Sequence, residues 1–355
     1  MLLFEKRENV STKLKIAIPL ISVFLGLVAG GIAILFTRTN PLTVYRALVK
    51  GGFGSVYTFS ETLVVAIPLI LISAGLIVAF KMNFWNIGAY GQYIMGAIFG
   101  SFFALTMPAT MPRPLLLAIM CLAGILGGAL WGLIPAMLKA FWEVNEVIST
   151  LLLNYIALYI LKYLMYGPWR NPASHGFPLS KPFELNAQLP RLLVHTRVHL
   201  GLVFGIIAVI IVYILITKTK FGYEIRVIGE NKRAARYGGI NITKNIFIAM
   251  AISGGLAGLA GLAQLSGVIH MLQIEINPGY GYTAIIVAWL SSLNPIIAMF
   301  VSVIFGGLEA GGYQIQMAIQ VPFGIVGTIE SAVLFFLLGG EILKRYRIRL
   351  RRNTS

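Results

Sequence analysis

The chain has 355 residues, 58% of them hydrophobic and 11% charged, with a mean hydropathy of +0.84 and a formal net charge of +16. A soluble domain of this length needs far more polar surface, and continuous rather than alternating apolar runs exclude a barrel, leaving an all-α polytopic membrane protein. The basic residues gather at the ends of apolar runs rather than on one face, which argues against a nucleic-acid binder.

Apolar segments long enough to cross, or nearly cross, a bilayer lie near 15–36, 62–80, 90–107, 114–138, 148–166, 200–216, 246–266, 283–293, 295–312 and 325–343. They predict about ten transmembrane helices, including short or re-entrant ones. Lys6, Arg7, Lys13 and Lys15 precede the first run as in a signal peptide. That run is long enough to span and no cleavage site follows it, so it reads as a retained helix. The 283–293 run is short and ends at Asn294-Pro295, which predicts a half-helix or re-entrant turn. With both termini in the cytoplasm, that side holds 19 Lys/Arg and the outer side 8, as the positive-inside rule requires. The expected organisation is an N-terminal cytoplasmic tail over 1–14, one transmembrane domain over 15–343 and a basic cytoplasmic tail over 344–355. An irregular outer loop spans 167–199, and a charged cytoplasmic loop spans 217–245.

Three polar or small-residue clusters interrupt the apolar pattern. In KMNFWNIGAYGQ (81–92), Asn86 and Gln92 sit among glycines beside Trp85. Amides at membrane depth line a cavity or bond another helix, and the bland alternative is a surface turn. In NEVISTLLLN (145–154), Glu146, Thr150 and Asn154 fall at i, i+4 and i+8 on one helical face, beside Asn145. That stripe points into a pore or against a partner helix, although a glutamate at a helix start also suits the macrodipole. In SGGLAGLAG (253–261), Gly254 and Gly258 are four apart, as are Ala257 and Gly261, which gives two small faces for close helix packing.

Several chemistries lose support. Cys121 is the single cysteine, so neither a disulfide framework nor a thiol–metal cluster is expected. All 12 acids are glutamates, which removes aspartate-based diphosphate–Mg²⁺ sites, aspartyl-phosphate pumps and aspartic dyads. His195 and His199 share HTRVH at a spacing that on a helix would face one metal, but no Glu or Cys completes a set, so no metal is expected. Without a nucleophile–base set the chain is not expected to be an enzyme. No G-x-x-x-x-G-K-[ST] loop occurs, so ATP-driven transport would require a separate ATPase chain. Glu309 and Glu330, in or near the last two spans, are the acids an ion-coupled transporter would use.

The segment KTKFGYEIRVIGENKRAARYGGI (218–240) follows a span directly. Asn231–Tyr237 can form two helical turns with Gly238 or Gly239 as the left-handed stop. Its small centre, Ala234 and Ala235, leaves one side open to a closing groove, and the basic residues around it also suit anionic headgroups. This segment resembles the cytoplasmic coupling helix of ABC-importer permeases of the branched-chain amino acid, simple-sugar and nucleoside family. The resemblance rests on Phe221-Gly222, Ile225-Arg226, Gly229, Asn231, Ala234, Ala235, Gly239 and Ile240. It extends through 40–55, 84–92, 145–159, 279–290 and 311–322, which look like the nucleoside branch. Tyr90 departs from it, standing where many relatives carry an acid in the NIGAxGQ motif.

The resemblance implies a vitamin B12-type (type II) importer fold and the longer permease of a purine-nucleoside importer in the cell (plasma or inner) membrane. Implied partners are a second, shorter permease, an ATPase with duplicated nucleotide domains that holds ATP-Mg, and an extracytoplasmic lipoprotein that delivers substrate. Membrane lipid surrounds the assembly, and this chain itself would bind no cofactor. Gly229, Asn231, Arg233, Ala234, Ala235, Arg236, Gly239 and Ile240 would meet the ATPase. Trp85, Asn86, Gln92, Asn145, Glu146 and Asn154 are the candidate path residues, with Gly254, Gly258 and Gly261 in helix packing. The alternatives are a simple-sugar permease, or an ion-coupled transporter built on Glu309 or Glu330.

Overall fold

The computed structural model describes residues 2–6, 12–108, 110–276 and 279–350, with side chains over 17–108, 110–276 and 279–340. Of the two tails, residues 7–11 and 351–355 lie outside the described residues; Leu2–Lys6 (β1) pairs antiparallel with Tyr346–Leu350 (β2). Between them the described residues form the helices α1 (Thr12–Leu35), α2 (Pro41–Phe53), α3 (Val56–Lys81), α4 (Ala89–Thr106), α5 (Arg113–Trp142), α6 (Glu146–Tyr166), α7 (Gly201–Lys218), α8 (Lys220–Glu230), α9 (Lys232–Tyr237), α10 (Ile242–Gln264), α11 (Tyr280–Leu290), α12 (Pro295–Ile319) and α13 (Gly324–Arg345). A π-helical turn, Leu265–Ile269, extends α10.

Among the described residues seven helices are long and apolar enough to cross a membrane: α1, α3, α5, α6, α7, α10 with its π turn, and α12. The 18-residue α4 and the shorter apolar stretches Tyr280–Leu290 and Gly324–Gly340 account for the remaining expected segments. The 217–245 segment holds the expected short helix, α9, and differs from the expectation in a second one, α8, that precedes it.

The chain forms two compact units, Met1–Thr58 with Gly307–Ser355, and Phe59–Gly306. In the first, Gly26 and Gly30 bring α1 against Val333 and Ile329 of α13. Glu309 on α12 and Glu330 on α13 are both buried.

In the second unit α3 is the central helix, buried from Ala66 to Phe80. Beside it, α10 packs on α4 and α5 through glycine. Gly254 and Gly258 face the backbone of Gly128 and Gly124 on α5, Gly258 also meets Gly96 of α4, and Gly261 meets the Tyr93 carbonyl. A Cβ at any of these points would fall on partner backbone. Lipid tails are as apolar as side chains, so such backbone approach, rather than hydrophobic exclusion, holds membrane helices together.

The segment 179–200 is strapped to the end of α10. Ser180 and Leu272 exchange backbone and hydroxyl bonds (2.9 and 2.8 Å), Phe183 N–H donates to the His270 carbonyl (2.7 Å), and Leu189 N–H donates to that of Ser266 (2.9 Å). HTRVH is not helical: His195 is exposed in a turn, whereas the His199 ring is buried against Gly201 and Gly267. The spacing that would align the two rings on a helix therefore does not align them here.

Candidate functional site

The polar clusters at 81–92 and 145–154 meet in the second unit. After α3 ends at Lys81, an extended stretch leads to Gly88 and α4 begins at Ala89. A short stretch of unpaired backbone inside an apolar bundle must find partners, and side chains provide them. Asn86 donates to Gln92 Oε1 (3.0 Å) and Ser253 Oγ (3.0 Å), while its Oδ1 accepts from Gly88 N–H (2.9 Å) and Gln92 Nε2 (3.2 Å). Both donors and both lone-pair directions of that amide are thus used.

The α6 stripe serves the same stretch from the other side. Asn154 Oδ1 accepts from Gly91 N–H (2.8 Å), and its Nδ2 donates to the Ile87 carbonyl (2.9 Å) and the Tyr282 hydroxyl (3.4 Å). Ile87 N–H donates to Thr150 Oγ1 (3.2 Å). Asn86, Gln92, Thr150 and Asn154 are all buried, so of the two readings of the stripe the geometry gives packing against a partner segment. Asn145 caps α6, its Oδ1 accepting from Val147 N–H (2.9 Å), and Glu146 pairs with Lys139 at 2.7 Å. Trp85 stacks on Trp289 of α11, ring centroids 5.1 Å apart and planes 22° apart.

Sequence reasoning passed over the aromatic surface in front of these amides. Tyr90 stacks on Tyr282 at 5.8 Å and 24°, and Tyr282, 40% exposed, is hydrogen-bonded to Asn154 behind it. Tyr155, one residue beyond Asn154, is 55% exposed. Tyr90 lies in KMNFWNIGAYGQ and Tyr282 in the 279–290 stretch. What the sequence did not show was that α11 returns beside the start of α4, where Gly281 lies against the Tyr90 backbone.

The basic segment builds a second site at one end of the same unit. Thr219 caps α8 by accepting from Gly222 N–H (3.1 Å), and the Arg226 guanidinium donates to the Ile216 carbonyl, fastening α8 to α7. Gly229 lies against the Lys81 carbonyl, and Asn245 Nδ2 donates to Glu224 (2.8 Å), so α8 is also tied to α3 and α10. Asn231 caps α9, its Oδ1 accepting from Arg233 N–H (2.9 Å) and Ala234 N–H (3.2 Å); Gly239, at φ +71°, ends the motif, and Ile240 N–H donates to the Ala235 carbonyl (3.0 Å).

One expectation is corrected here. Ala234 and Ala235 do not form a single open side: Ala235 is fully buried within the chain, whereas Ala234 is exposed. Adjacent helical residues point about 100° apart, so one faces in and the other out. The outward surface comprises Arg233, Ala234 and Tyr237, the last 94% exposed and absent from the residues picked out by sequence. Lys232 and Arg236 form a separate face beside α5 and α10.

With this geometry in place, comparison with known proteins is direct. Residues 58–338 match the family described as branched-chain amino acid transport system, permease component. A glucose ABC transporter permease of Haloferax volcanii is 33% identical, over 97% of this chain and 92% of its own. A guanosine ABC transporter permease of Bacillus subtilis is 30% identical over 92% and 94% of the two chains. A nucleoside ABC transporter permease of Lactococcus lactis is 31% identical over 91% and 90%.

Proposed function

This chain belongs to the branched-chain amino acid transport system permease family and is a permease subunit of an ABC importer; within it, we propose that it forms the translocation path for nucleosides. The observation that carries the substrate reading is the Tyr90–Tyr282 stack, exposed on one side and hydrogen-bonded to Asn154 on the other. Aromatic faces stack on a base, and phenol hydroxyls bond base edges or ribose. The amides Asn86, Gln92 and Asn154 act behind that surface, fixing the 84–92 stretch that carries it, rather than touching substrate themselves.

The α8–α9 end lies in the cytoplasm in this reading, together with both termini, in keeping with the Lys/Arg excess. A separate ATPase with duplicated nucleotide domains docks on Arg233, Ala234 and Tyr237, and a second permease and a lipoprotein complete the importer. Closure of the ATPase pushes α9. Gly229 and the α3 end pass the movement to the 84–92 stretch, shifting the bundle between two packings. The chain performs no chemistry on its cargo.

A simple-sugar cargo is the second reading, favoured by the 33% identity to the glucose permease. An aromatic face also stacks on a pyranose, so competition decides. Labelled guanosine uptake by cells expressing the complete importer should fall with excess unlabelled nucleoside and be indifferent to glucose. Displacement by glucose alone would transfer the assignment to sugars.

A further inference from the structure

A cleft of about 380 Å³ opens between the last turn of α5, the α9 helix and the first turns of α10. Its polar lining is Lys139, Glu143, Lys232, Arg236 and Thr243, and its apolar wall includes Ile242 and Ile246. Lys139 is already committed to Glu146 at 2.7 Å. Among the described residues, Lys232, Arg236 and Glu143 have no ion-pair partner within 4 Å. Lys232 and Arg236 are one helical turn apart on α9, so both ammonium and guanidinium can reach one anion in the cleft. Glu143 can only repel a bare anion, but it accepts hydrogen bonds from hydroxyls.

The position of the cleft narrows the ligand. Lys139 and Glu143 end the 30-residue apolar α5, and Ile242 and Ile246 begin the apolar α10. Beside them Phe141 packs on Trp142 and on Phe247, centroids 6.0 Å apart in both pairs. Phe141 and Trp142 are each 62% exposed, an aromatic group of the kind that sits at headgroup level in a bilayer. The cleft therefore has a cationic mouth, an apolar wall and an interfacial belt in one place. We propose that it binds an anionic glycerophospholipid, its phosphate held by Lys232 and Arg236, its headgroup hydroxyls by Glu143, and its acyl chains laid along α5 and α10.

The site does not depend on the cargo. It divides the charge of α9 by face: Lys232 and Arg236 hold lipid, and Arg233, with Ala234 and Tyr237, is left for the protein partner. An occupied cleft fixes one side of α9 to the membrane surface, so the identity of the lipid sets how firmly the helix is held.

The full chain, purified and delipidated in detergent, is titrated with phosphatidylglycerol or phosphatidylcholine, and bound lipid is counted by native mass spectrometry. Phosphatidylglycerol should bind at a concentration at least about fivefold lower, since one cation near a charged headgroup contributes about that factor. Lys232→Gln and Arg236→Gln, both at exposed positions, should each weaken phosphatidylglycerol about fivefold, and Arg233→Gln should not. Soluble glycerol phosphate should fail to compete. Equal binding of the two lipids, or equal weakening by Arg233→Gln, would overturn the site. Full competition by glycerol phosphate would make it a free-anion site instead. Unchanged phosphatidylglycerol binding in Lys232→Gln and Arg236→Gln, with loss of ATPase co-purification, would assign the cleft to a protein and reject lipid.

Discussion

Gly229 at the end of α8 lies directly against the carbonyl oxygen of Lys81 at the end of α3, so closely that any side chain at 229 would occupy the oxygen's place. This contact joins the basic surface segment to the helix that leads into Asn86. Neither backbone can yield cheaply, since Lys81 is the last residue of the buried central helix. Gly229→Val should therefore lower stability by about 1–3 kcal/mol, the usual cost of overpacking. A thermal-shift series in detergent, with Glu230→Gln as the neighbouring control, measures it; an unshifted Gly229→Val would mean that the two helices separate freely.

The reciprocal amide pair of Asn86 and Gln92 yields a coupling rather than a single loss. Replacing Asn86 by Leu strands the Gly88 N–H and one face of the Gln92 amide in an apolar setting, at about 1–3 kcal/mol for each buried group left unpaired. Replacing both residues by Leu removes donor and acceptor together. The double variant should be more stable than the sum of the singles allows, by roughly 0.6 kcal/mol and at most about 1.7 kcal/mol, the average and the maximum of such couplings in membrane bundles. Strict additivity in the cycle would show that the pair is not formed.

Ala234 and Ala235 separate docking from folding. Ala234→Trp should leave the melting temperature of the purified chain unchanged and abolish co-purification with the ATPase. Ala235→Trp should lower the melting temperature itself, because the residue is fully buried beneath α9. Identical behaviour of the two variants would contradict the inward and outward assignment.

Acid should loosen the strap over the end of α10. Burial, with a contribution from nearby His270, pushes the His199 imidazole down to about 4, and its Nδ1 accepts from the Gly201 N–H at 3.2 Å. Unfolded or released, the ring titrates near 6.5, so below that pH the open state takes up a proton that the closed state refuses. The stabilisation is complete above about pH 6.5 and is lost as the pH falls toward 4, amounting at most to about 3 kcal/mol. Hydrogen exchange of residues 179–200 should accelerate across that window in the native chain. His199→Gln should flatten the dependence, whereas an unchanged slope would place the titration elsewhere.

The spans were legible because each apolar run had to be long enough for a bilayer, and the interruption at Asn294-Pro295 marked the short α11. The amphipathic α8 was not anticipated, although Gly222, Ile225 and Ile228, spaced at helical intervals, are the residues it buries. The amide clusters were found, but not their work: Asn86 bonds Ser253, 167 residues away, and no local pattern announces such a partner. The Ala-Ala centre shows the opposite case, since helical geometry alone puts adjacent residues on different faces. The tyrosine surface required the fold, because Tyr90 and Tyr282 meet only where α11 turns back beside α4.

In the proposed function a separate ATPase drives transport through this chain. Proteoliposomes carrying the complete importer, with ATP enclosed and the binding protein outside, measure it directly through labelled guanosine uptake. Uptake should require ATP and every subunit, persist when the proton gradient is collapsed, and vanish with Ala234→Trp. Uptake by this chain alone under a proton gradient, without ATPase or ATP, would contradict the account and restore Glu309 or Glu330 as the coupling acid.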